Sequence, residues 1–150
     1  MSKLTLELTT PERTVLKDEY DSLTLPTETG EITVLPGHVP LVANLASGTA
    51  VARKGREETY LAVSGGFVEV RGDGRVILLA DTAERAEELD LEALEAAKAR
   101  AEKLLTETRQ ADDVSSAAAY AALERELARI RTVRTHRARK NPTPHQDMNA

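Results

Sequence analysis

The residue types that could carry catalysis are few in this 150-residue chain, and their spacing does not assemble a site. A Ser-Gly-Gly run begins at Ser64, but the nucleophile elbow requires a glycine two positions before its serine, and Ala62 stands there. The Gly-Asp-Gly run at residues 72–74 is too short to cradle a phosphate, and the sequence contains neither Gly-Lys-Ser nor Gly-Lys-Thr. We interpret both runs as turns.

Metal and acid–base chemistry are equally unsupported. His38, His136 and His145 lie far apart, and their spacing is not that of a zinc site. The chain has no cysteine, which excludes disulfides and thiolate metal sites. Adjacent acids such as Glu87 and Glu88 would diverge by about 100° on a helix, so they do not form a catalytic pair. We expect no catalytic residue, no metal and no cofactor, and hence a binding or regulatory protein.

Two loop residues are candidates for contact with a partner. Glu31 lies at a predicted loop tip, where it is either simply solvated or part of an interface. His38 follows a Pro-Gly turn, where its ring either hydrogen-bonds the loop backbone or contacts a partner.

A basic region near the C-terminus offers a third candidate surface. Arg125 and Arg129 are one helical turn apart and point away from the apolar stripe of the predicted helix, and Arg131 and Arg134 continue the positive charge. Such a run is either a solvated face or a surface that binds an acidic partner through charge-assisted hydrogen bonds. RNA is a weaker alternative, because no Phe, Trp or Tyr follows Tyr120 to stack on a base.

The elements that must position these residues change character at about residue 88. Before it, apolar and polar residues alternate with a period of two in short runs separated by Gly and Pro, which predicts an antiparallel sandwich or barrel. Pro26 is expected to end one strand, and Gly48 to interrupt another. The predicted strands cover residues 4–9, 21–26, 32–35, 45–53, 59–63, 67–71 and 75–80.

Beyond residue 88 the sequence predicts two helices. No glycine follows Gly74, and strong helix formers dominate. Asp90 is expected to cap the first helix, and Ser115 or Ser116 the second, after a break over residues 110–114. The expected apolar stripes are Leu94, Ala97, Ala101 and Leu104, then Tyr120, Leu123, Leu127 and Ile130. Because these stripes are narrow and rich in alanine, we expect an antiparallel hairpin that is marginal alone and suited to move.

These patterns divide the chain into a β-sandwich over residues 1–88, a helical hairpin over residues 89–139 and a tail over residues 140–150 that we expect to be disordered. Residues 1–90 carry 16 acids and 9 bases, whereas residues 91–150 carry 9 acids and 11 bases. The sandwich would therefore repel nucleic acid. We expect a soluble, cytoplasmic protein, because no apolar run is long enough to span a bilayer and the N-terminus lacks a signal-peptide core.

Five short motifs occur in an order and spacing that are more specific than any one of them. They are Gly30-Glu31, the run Val-Leu-Pro-Gly-His at residues 34–38, Pro40-Leu41, the run Ser-Gly-Gly-Phe at residues 64–67 and the run Leu-Ala-Asp-Thr-Ala at residues 79–83. Together they resemble the epsilon subunit family of the F-type ATP synthase, whose mitochondrial counterpart is called delta. The resemblance covers about residues 4–134 and implies a sandwich of about ten strands followed by two helices.

The resemblance implies a non-catalytic rotor subunit of the central stalk. The sandwich would bind the gamma subunit, and the regions of Glu31 and His38 would contact gamma and the c-ring. The hairpin would inhibit ATP hydrolysis when extended, its basic helix (Arg125, Arg129, Arg131, Arg134) facing an acidic segment of the beta subunits. The protein would sit peripherally on the cytoplasmic face of the cell membrane, with a chloroplast thylakoid location as an alternative.

Some members of that family bind ATP on the folded hairpin. Their motif, Ile or Leu, then Asp, two variable residues, Arg and Ala, corresponds here to Leu89 and Asp90, but Ala93 replaces the motif arginine. The remaining arginines of that site correspond to Arg100, Arg125 and Arg129. The resemblance therefore implies at most a weak ATP site.

A function of another class stays open at this point. The chain could be a free-standing β-sandwich adaptor whose basic helix binds RNA or an acidic protein. The rotor hypothesis predicts tight binding to gamma and no binding to RNA, whereas the adaptor hypothesis predicts the reverse with a steep salt dependence.

Overall fold

The computed structural model describes residues 2–108 and 113–140. The ten strands are β1 (Leu4–Thr9), β2 (Thr14–Tyr20), β3 (Ser22–Thr27), β4 (Gly30–Val34), β5 (Leu41–Asn44), β6 (Gly48–Lys54), β7 (Glu57–Ser64), β8 (Phe67–Val70), β9 (Arg75–Leu79) and β10 (Thr82–Arg85). A 3₁₀ turn (Ala86–Glu88) leads to helices α1 (Leu91–Thr108) and α2 (Asp113–Lys140). The predicted two-part fold is confirmed.

The strands form two five-stranded sheets that pack as a sandwich. The first has the order β2-β1-β9-β8-β5, and the second has the order β10-β7-β6-β3-β4. Neighbouring strands are antiparallel apart from β1 and β9, which run parallel. The edge strands β5 and β4 lie at the same side of the sandwich, since Asn44 Nδ2 at the end of β5 donates to Glu28 beside the β3–β4 turn at 3.3 Å.

Alternating side chains fill the space between the sheets. Leu4, Leu6 and Leu8 of β1 are all at most 2% exposed, as a strand with a period of two requires. They belong to one cluster of 20 buried residues that draws on both sheets. Burying an aliphatic side chain of this size contributes roughly 1.5–3 kcal/mol, so this cluster is the main source of the chain's stability.

The two glycine-rich runs are turns, as the sequence predicted. Gly66 lies between β7 and β8 with φ +94°, and a Cβ on it would lie 1.8 Å from the Leu79 carbonyl oxygen. This position therefore accepts only glycine, for reasons of packing and backbone geometry rather than of catalysis. The run at residues 72–74 joins β8 to β9, which pair as an antiparallel hairpin.

The helices pack antiparallel through a small apolar cluster of Leu94, Ile130 and Val133, against which Leu89 and Leu91 also pack. The Asp90 cap is confirmed, because Asp90 Oδ1 accepts a hydrogen bond from the Glu92 amide at 3.1 Å.

The predicted stripes are correct only near the sandwich. Leu104 and Tyr120 are 48% and 55% exposed, because they lie toward the far end of the hairpin, beyond the small apolar cluster. The predicted cap of the second helix is wrong: α2 begins at Asp113, and Ser116 Oγ donates to the Thr108 carbonyl at 3.0 Å.

Several predicted boundaries also shift. The residue pattern did not predict strands β2, β5 and β10. Strand β3 does not end at Pro26 but continues to Thr27. Pro26 fits within the strand because the pairing of β3 with β6 stops earlier, at Thr24. Lys140 belongs to α2 rather than to the tail. The remaining predicted tail, residues 141–150, and most of the predicted break between the helices lie outside the described residues.

Candidate functional site

Helix α2 lies on the outer face of the second sheet, where three charged side chains join the two elements. Arg129 donates through Nη2 to Glu84 Oε1 and through Nε to Glu84 Oε2 at 3.2 Å, so the Glu84 carboxylate on β10 accepts two hydrogen bonds from one guanidinium. Arg129 Nη1 also donates to Glu126 Oε1, one turn back on α2, at 2.8 Å. We call these residues the Glu84–Arg129–Glu126 cluster.

The cluster is largely removed from water. The side chains of Arg129, Glu84 and Glu126 are 19%, 22% and 10% exposed. Burial by itself lowers the pKa of the Arg129 guanidinium, but the hydrogen bond and charge of Glu84, followed by those of Glu126, outweigh it and raise that pKa. One cation therefore serves two carboxylates, and Glu126 Oε2 is buried without a hydrogen-bond partner in the described part of the chain.

Two further polar contacts hold the same face of α2. Thr132 Oγ1 donates to the Ala128 carbonyl at 2.8 Å and lies 2.8 Å from Thr49 Oγ1 of β6. One turn further, His136 Nε2 lies 3.2 Å from Glu87 Oε1, and the ring lies 5.8 Å from that of Tyr60. Beneath α2 lies one small apolar cluster of Val51, Tyr60 and Ala86. Helix α2 is thus held on the sandwich by charged and hydroxyl groups beside this small cluster.

A second surface lies at the β4–β5 side of the sandwich. Phe67 and Leu79 are direct cross-strand neighbours on the outer face of the first sheet, and they are 41% and 40% exposed. Val42, on the adjoining edge strand, is 70% exposed. The connection before β5 adds Leu35 at 54% and Val39 at 70%. We call these five residues the exposed apolar strip, because such a concentration of large apolar side chains in water is typical of a binding surface.

The predicted loop residues lie close to this strip in the fold. Glu31 is exposed on edge strand β4, opposite Pro26, and not at a loop tip as predicted, because the turn between β3 and β4 is complete at residues 28–29. His38 lies on the same connection as Leu35 and Val39, and its Nδ1 is 2.7 Å from the Val39 carbonyl oxygen, so the local hydrogen bond predicted as one alternative is present.

The predicted basic residues do not share one environment. Arg129 is bound within the cluster rather than solvated, and Arg125 Nε lies 4.0 Å from Glu126 Oε1. Arg134 is 65% exposed and pairs with Glu95 of α1 at 2.7 Å. Arg131 is exposed and lines an open groove between α2 and the sandwich. The structure therefore separates one largely buried arginine from its more exposed neighbours.

The residues considered for an ATP site have other contacts. Leu89 packs against the apolar cluster of the hairpin, and Asp90 caps α1. Arg100 is exposed on α1. Arg129, the one arginine of the set with two carboxylate partners, would have to leave Glu84 before it could meet a phosphate.

The described residues contain no group of three His, Asp or Glu side chains placed to hold a metal ion. Within residues 2–108 and 113–140, no helix combines the length and the apolar character needed to cross a bilayer.

Sequence reasoning missed the partners that bury Arg129. The spacing of Glu126 and Arg129, three residues apart on a helix, could have suggested their pairing. No sequence pattern indicated that Glu84 pairs with Arg129, because the two residues are 45 positions apart in the chain. Thr132 is fully buried although its sequence neighbours are arginine-rich, and only the tertiary structure supplies Thr49 as its partner.

Comparisons with known proteins agree with this architecture. Residues 3–86 match the family model of the ATP synthase delta/epsilon chain β-sandwich domain. The ATP synthase epsilon chain of Dehalococcoides mccartyi is 42% identical over 142 residues, which are 95% of this chain and 99% of that one. The epsilon chain of Moorella thermoacetica is 47% identical over 132 residues, covering 87% and 96% of the two chains.

A solved structure shows the same relationship. A chain of the Euglena gracilis mitochondrial ATP synthase, in a structure described as OSCP/F1/c-ring in rotational state 1, superposes with a TM-score of 0.71 at 28% identity, covering 83% of this chain and 77% of that chain. A chain of the central stalk and c-ring of the Tetrahymena thermophila mitochondrial ATP synthase shares the fold at a TM-score of 0.56. The chain belongs to the ATP synthase delta/epsilon family and is a non-catalytic epsilon-type subunit of that membrane-bound complex.

Proposed function

We propose that this chain is the rotor subunit that connects gamma to the c-ring, and that its α1–α2 hairpin is a brake on ATP hydrolysis. The observation that carries the first part is the exposed apolar strip beside Glu31 and His38. Five large apolar side chains exposed to water lower the solubility of a free subunit, whereas in a permanent assembly a partner would cover them.

Gamma is the partner we assign to the exposed apolar strip, and the c-ring is the partner we assign to the β3–β4 turn together with Glu31 of β4. These surfaces adjoin, so one side of the sandwich could hold both partners of a central stalk. A rigid body with 20 residues in one core transmits torque by its stiffness and shape, and no catalytic group is needed for that task.

The hairpin is assigned the regulatory role because its attachment differs from that of the strands. Its polar contacts with the sandwich include the Glu84–Arg129–Glu126 cluster, the Thr49–Thr132 hydroxyl pair and the His136–Glu87 contact, and the apolar cluster beneath it is small. Such contacts exchange readily for contacts with water or with another protein, which makes a docked and a released state close in free energy. In the released state the basic residues of α2 would meet an acidic segment of the beta subunits.

We further propose that ATP binds weakly to the hairpin or not at all. Ala93 stands where a phosphate-binding arginine would be, and Arg129 is already paired with Glu84. Losing one charge-assisted contact to a phosphate costs roughly 1.5–3 kcal/mol, which is tenfold or more in affinity. Calorimetric titration of the full chain should detect no micromolar ATP binding, and such binding would refute this part of the proposal.

The function is tested by ATP hydrolysis of the cognate catalytic head with gamma. The full chain is compared with a chain that ends at Glu88, which keeps the sandwich and the ion pair of Arg13 with Glu88 at 2.6 Å. We expect both to bind gamma with similar affinity and the full chain alone to slow hydrolysis. If both chains bind gamma and neither slows hydrolysis, the hairpin is not a brake and the protein is a structural rotor subunit. If the full chain does not bind gamma, the whole proposal is overturned.

In the assembled complex the chain would lie peripherally on the cytoplasmic face of the cell membrane, held there by gamma and the c-ring. The adaptor alternative has no specific observation in its favour, because Arg129 and Arg134 are both paired with carboxylates, which weakens the continuous basic surface that RNA would need.

A further inference from the structure

We infer that the two glutamates of the Glu84–Arg129–Glu126 cluster act in opposite directions on the hairpin: Glu84 holds α2 on the sandwich, and Glu126 favours its release. The inference deepens the proposed function and rests on it, because release matters only if the hairpin is the brake. It depends on which contacts survive when α2 leaves the sheet.

The contact of Arg129 with Glu84 exists only in the docked state. Glu84 belongs to β10 of the sandwich and Arg129 to α2, so undocking breaks both hydrogen bonds between them. A two-pronged arginine–carboxylate pair with side chains about one-fifth exposed is among the stronger polar contacts that a surface element can make. Glu84 therefore contributes its attraction entirely to docking.

The contact of Glu126 with Arg129 exists in both states. The two residues are three positions apart on the same helix, so their pair moves with α2. In the docked state the side chain of Glu126 is only 10% exposed, and its Oε2 is buried with no hydrogen-bond partner among the described residues. A carboxylate oxygen that loses water without a replacement opposes the burial.

Docking also brings two carboxylates to one guanidinium. Glu84 and Glu126 approach the same guanidinium from two sides, and Arg125 reaches Glu126 Oε1 only at 4.0 Å. Docking thus brings the second carboxylate towards the first, which adds repulsion to the loss of water. Replacing Glu126 by glutamine removes that charge while keeping the side-chain shape and an oxygen that can accept from Arg129.

The experiment measures undocking on the isolated full chain through a thiol hidden beneath α2. Ala62 of β7 is 2% exposed and lies in register between Thr49 and Glu84, the two sheet residues that contact α2. The natural chain has no cysteine, so Ala62→Cys introduces a single reactive group. Its labelling rate by a small maleimide, divided by the rate in denaturant, reports the fraction of undocked molecules even when that fraction is small.

We expect Glu84→Gln to raise this labelling rate about tenfold or more and Glu126→Gln to lower it about fivefold. Glu107→Gln is the matched control, since it removes the same charge from an exposed position of the hairpin on α1, and it should change the rate less than twofold. If Glu126→Gln raises the rate, or if neither variant differs from the control, the inference is overturned.

A second probe separates undocking from damage to the sandwich. Val68 is fully buried between the sheets, so the labelling of Val68→Cys reports opening of the sandwich itself. That rate should be the same with and without Glu84→Gln, and a parallel rise at both probes would overturn the inference. Gamma is absent from this measurement, so a failure of the proposed rotor function, seen as lack of gamma binding, is distinguishable from a failure of the cluster.

Discussion

The sandwich and the hairpin are built from different kinds of contact, and the difference explains how one chain could contain both a rigid body and a movable arm. The sandwich has 20 buried residues in one cluster, whereas the apolar cluster that joins α1 to α2 has three. Helix α2 rests on the sheet through charged and hydroxyl groups beside an apolar cluster of three residues. Apolar burial has no substitute partner in water, but a polar contact does, so the arm can leave while the body stays folded.

The largest expected effect comes from a cavity in the sandwich. Leu61 is 1% exposed in the core cluster, and Leu61→Ala should lower the free energy of unfolding by about 2–5 kcal/mol. Ile130→Ala, in the small hairpin cluster, is the comparison variant. Chemical denaturation followed by circular dichroism should show a lower midpoint for the sandwich in the first variant only. Equal loss in both would mean that the hairpin and sandwich unfold as one unit.

The second largest effect is expected from replacing Arg129, which should weaken the docking of α2. Arg129→Gln leaves Glu84 and Glu126 facing each other without their shared cation, at a cost to docking of about 3 kcal/mol. Arg134→Gln removes the same charge from a 65% exposed position and serves as the control. Hydrogen exchange should become faster in α2 but remain slow in β6 and β7. Faster exchange throughout the sandwich would contradict the separation of the two regions.

The exposed apolar strip should show the opposite behaviour, with little effect on folding and a large one on assembly. Phe67→Asp should weaken gamma binding by about tenfold or more, because it places a charge where apolar contact is needed, and leave the unfolding midpoint nearly unchanged. Thr14→Asp on β2, at the other edge of that sheet, is the control. Isothermal titration with gamma makes the comparison, and equal loss in both variants would exclude the strip as the contact surface.

The smallest expected effect is an acid dependence at the junction between the two regions. The hydrogen bond and charge of Arg13 hold the pKa of the Glu88 carboxyl below its usual value of 4.5. Because the folded pKa is the lower one, the pair stabilises the fold above pH 4.5 and loses that contribution as pH falls through the folded pKa. Glu88→Gln should flatten this part of the pH–stability curve by less than about 1 kcal/mol, since both side chains are well exposed. An unchanged curve would show that the pair contributes nothing.

The sequence was sufficient for much of the fold, because alternation and helix capping are local properties. Leu4, Leu6 and Leu8 predicted a strand with one buried face, and Asp90 predicted the start of α1. Strand β10 was missed because its four residues, Thr82–Arg85, are too few to display a period and are mostly polar. The order of the strands within the sheets, including the parallel pairing of β1 with β9, depends on contacts far apart in the chain.

The candidate sites were less predictable for the same reason. His38 could be placed just after a Pro-Gly turn from its neighbours, but Glu31, expected at a loop tip, lies on β4. The exposed apolar strip forms only when β5, β8 and β9 lie side by side. Arg129 was expected to share the environment of Arg125 and Arg131. It does not, because Glu84 lies under one position of the helix and not under the others.

The central claim is that the balance between Glu84 and Glu126 sets the strength of the brake. The most direct test is ATP hydrolysis by the cognate head with gamma, measured with the full chain and with Glu84→Gln or Glu126→Gln at saturating concentration. The account predicts more inhibition by Glu84→Gln than by the unmodified chain and less by Glu126→Gln. Equal inhibition by all three, or the reverse order, would contradict it.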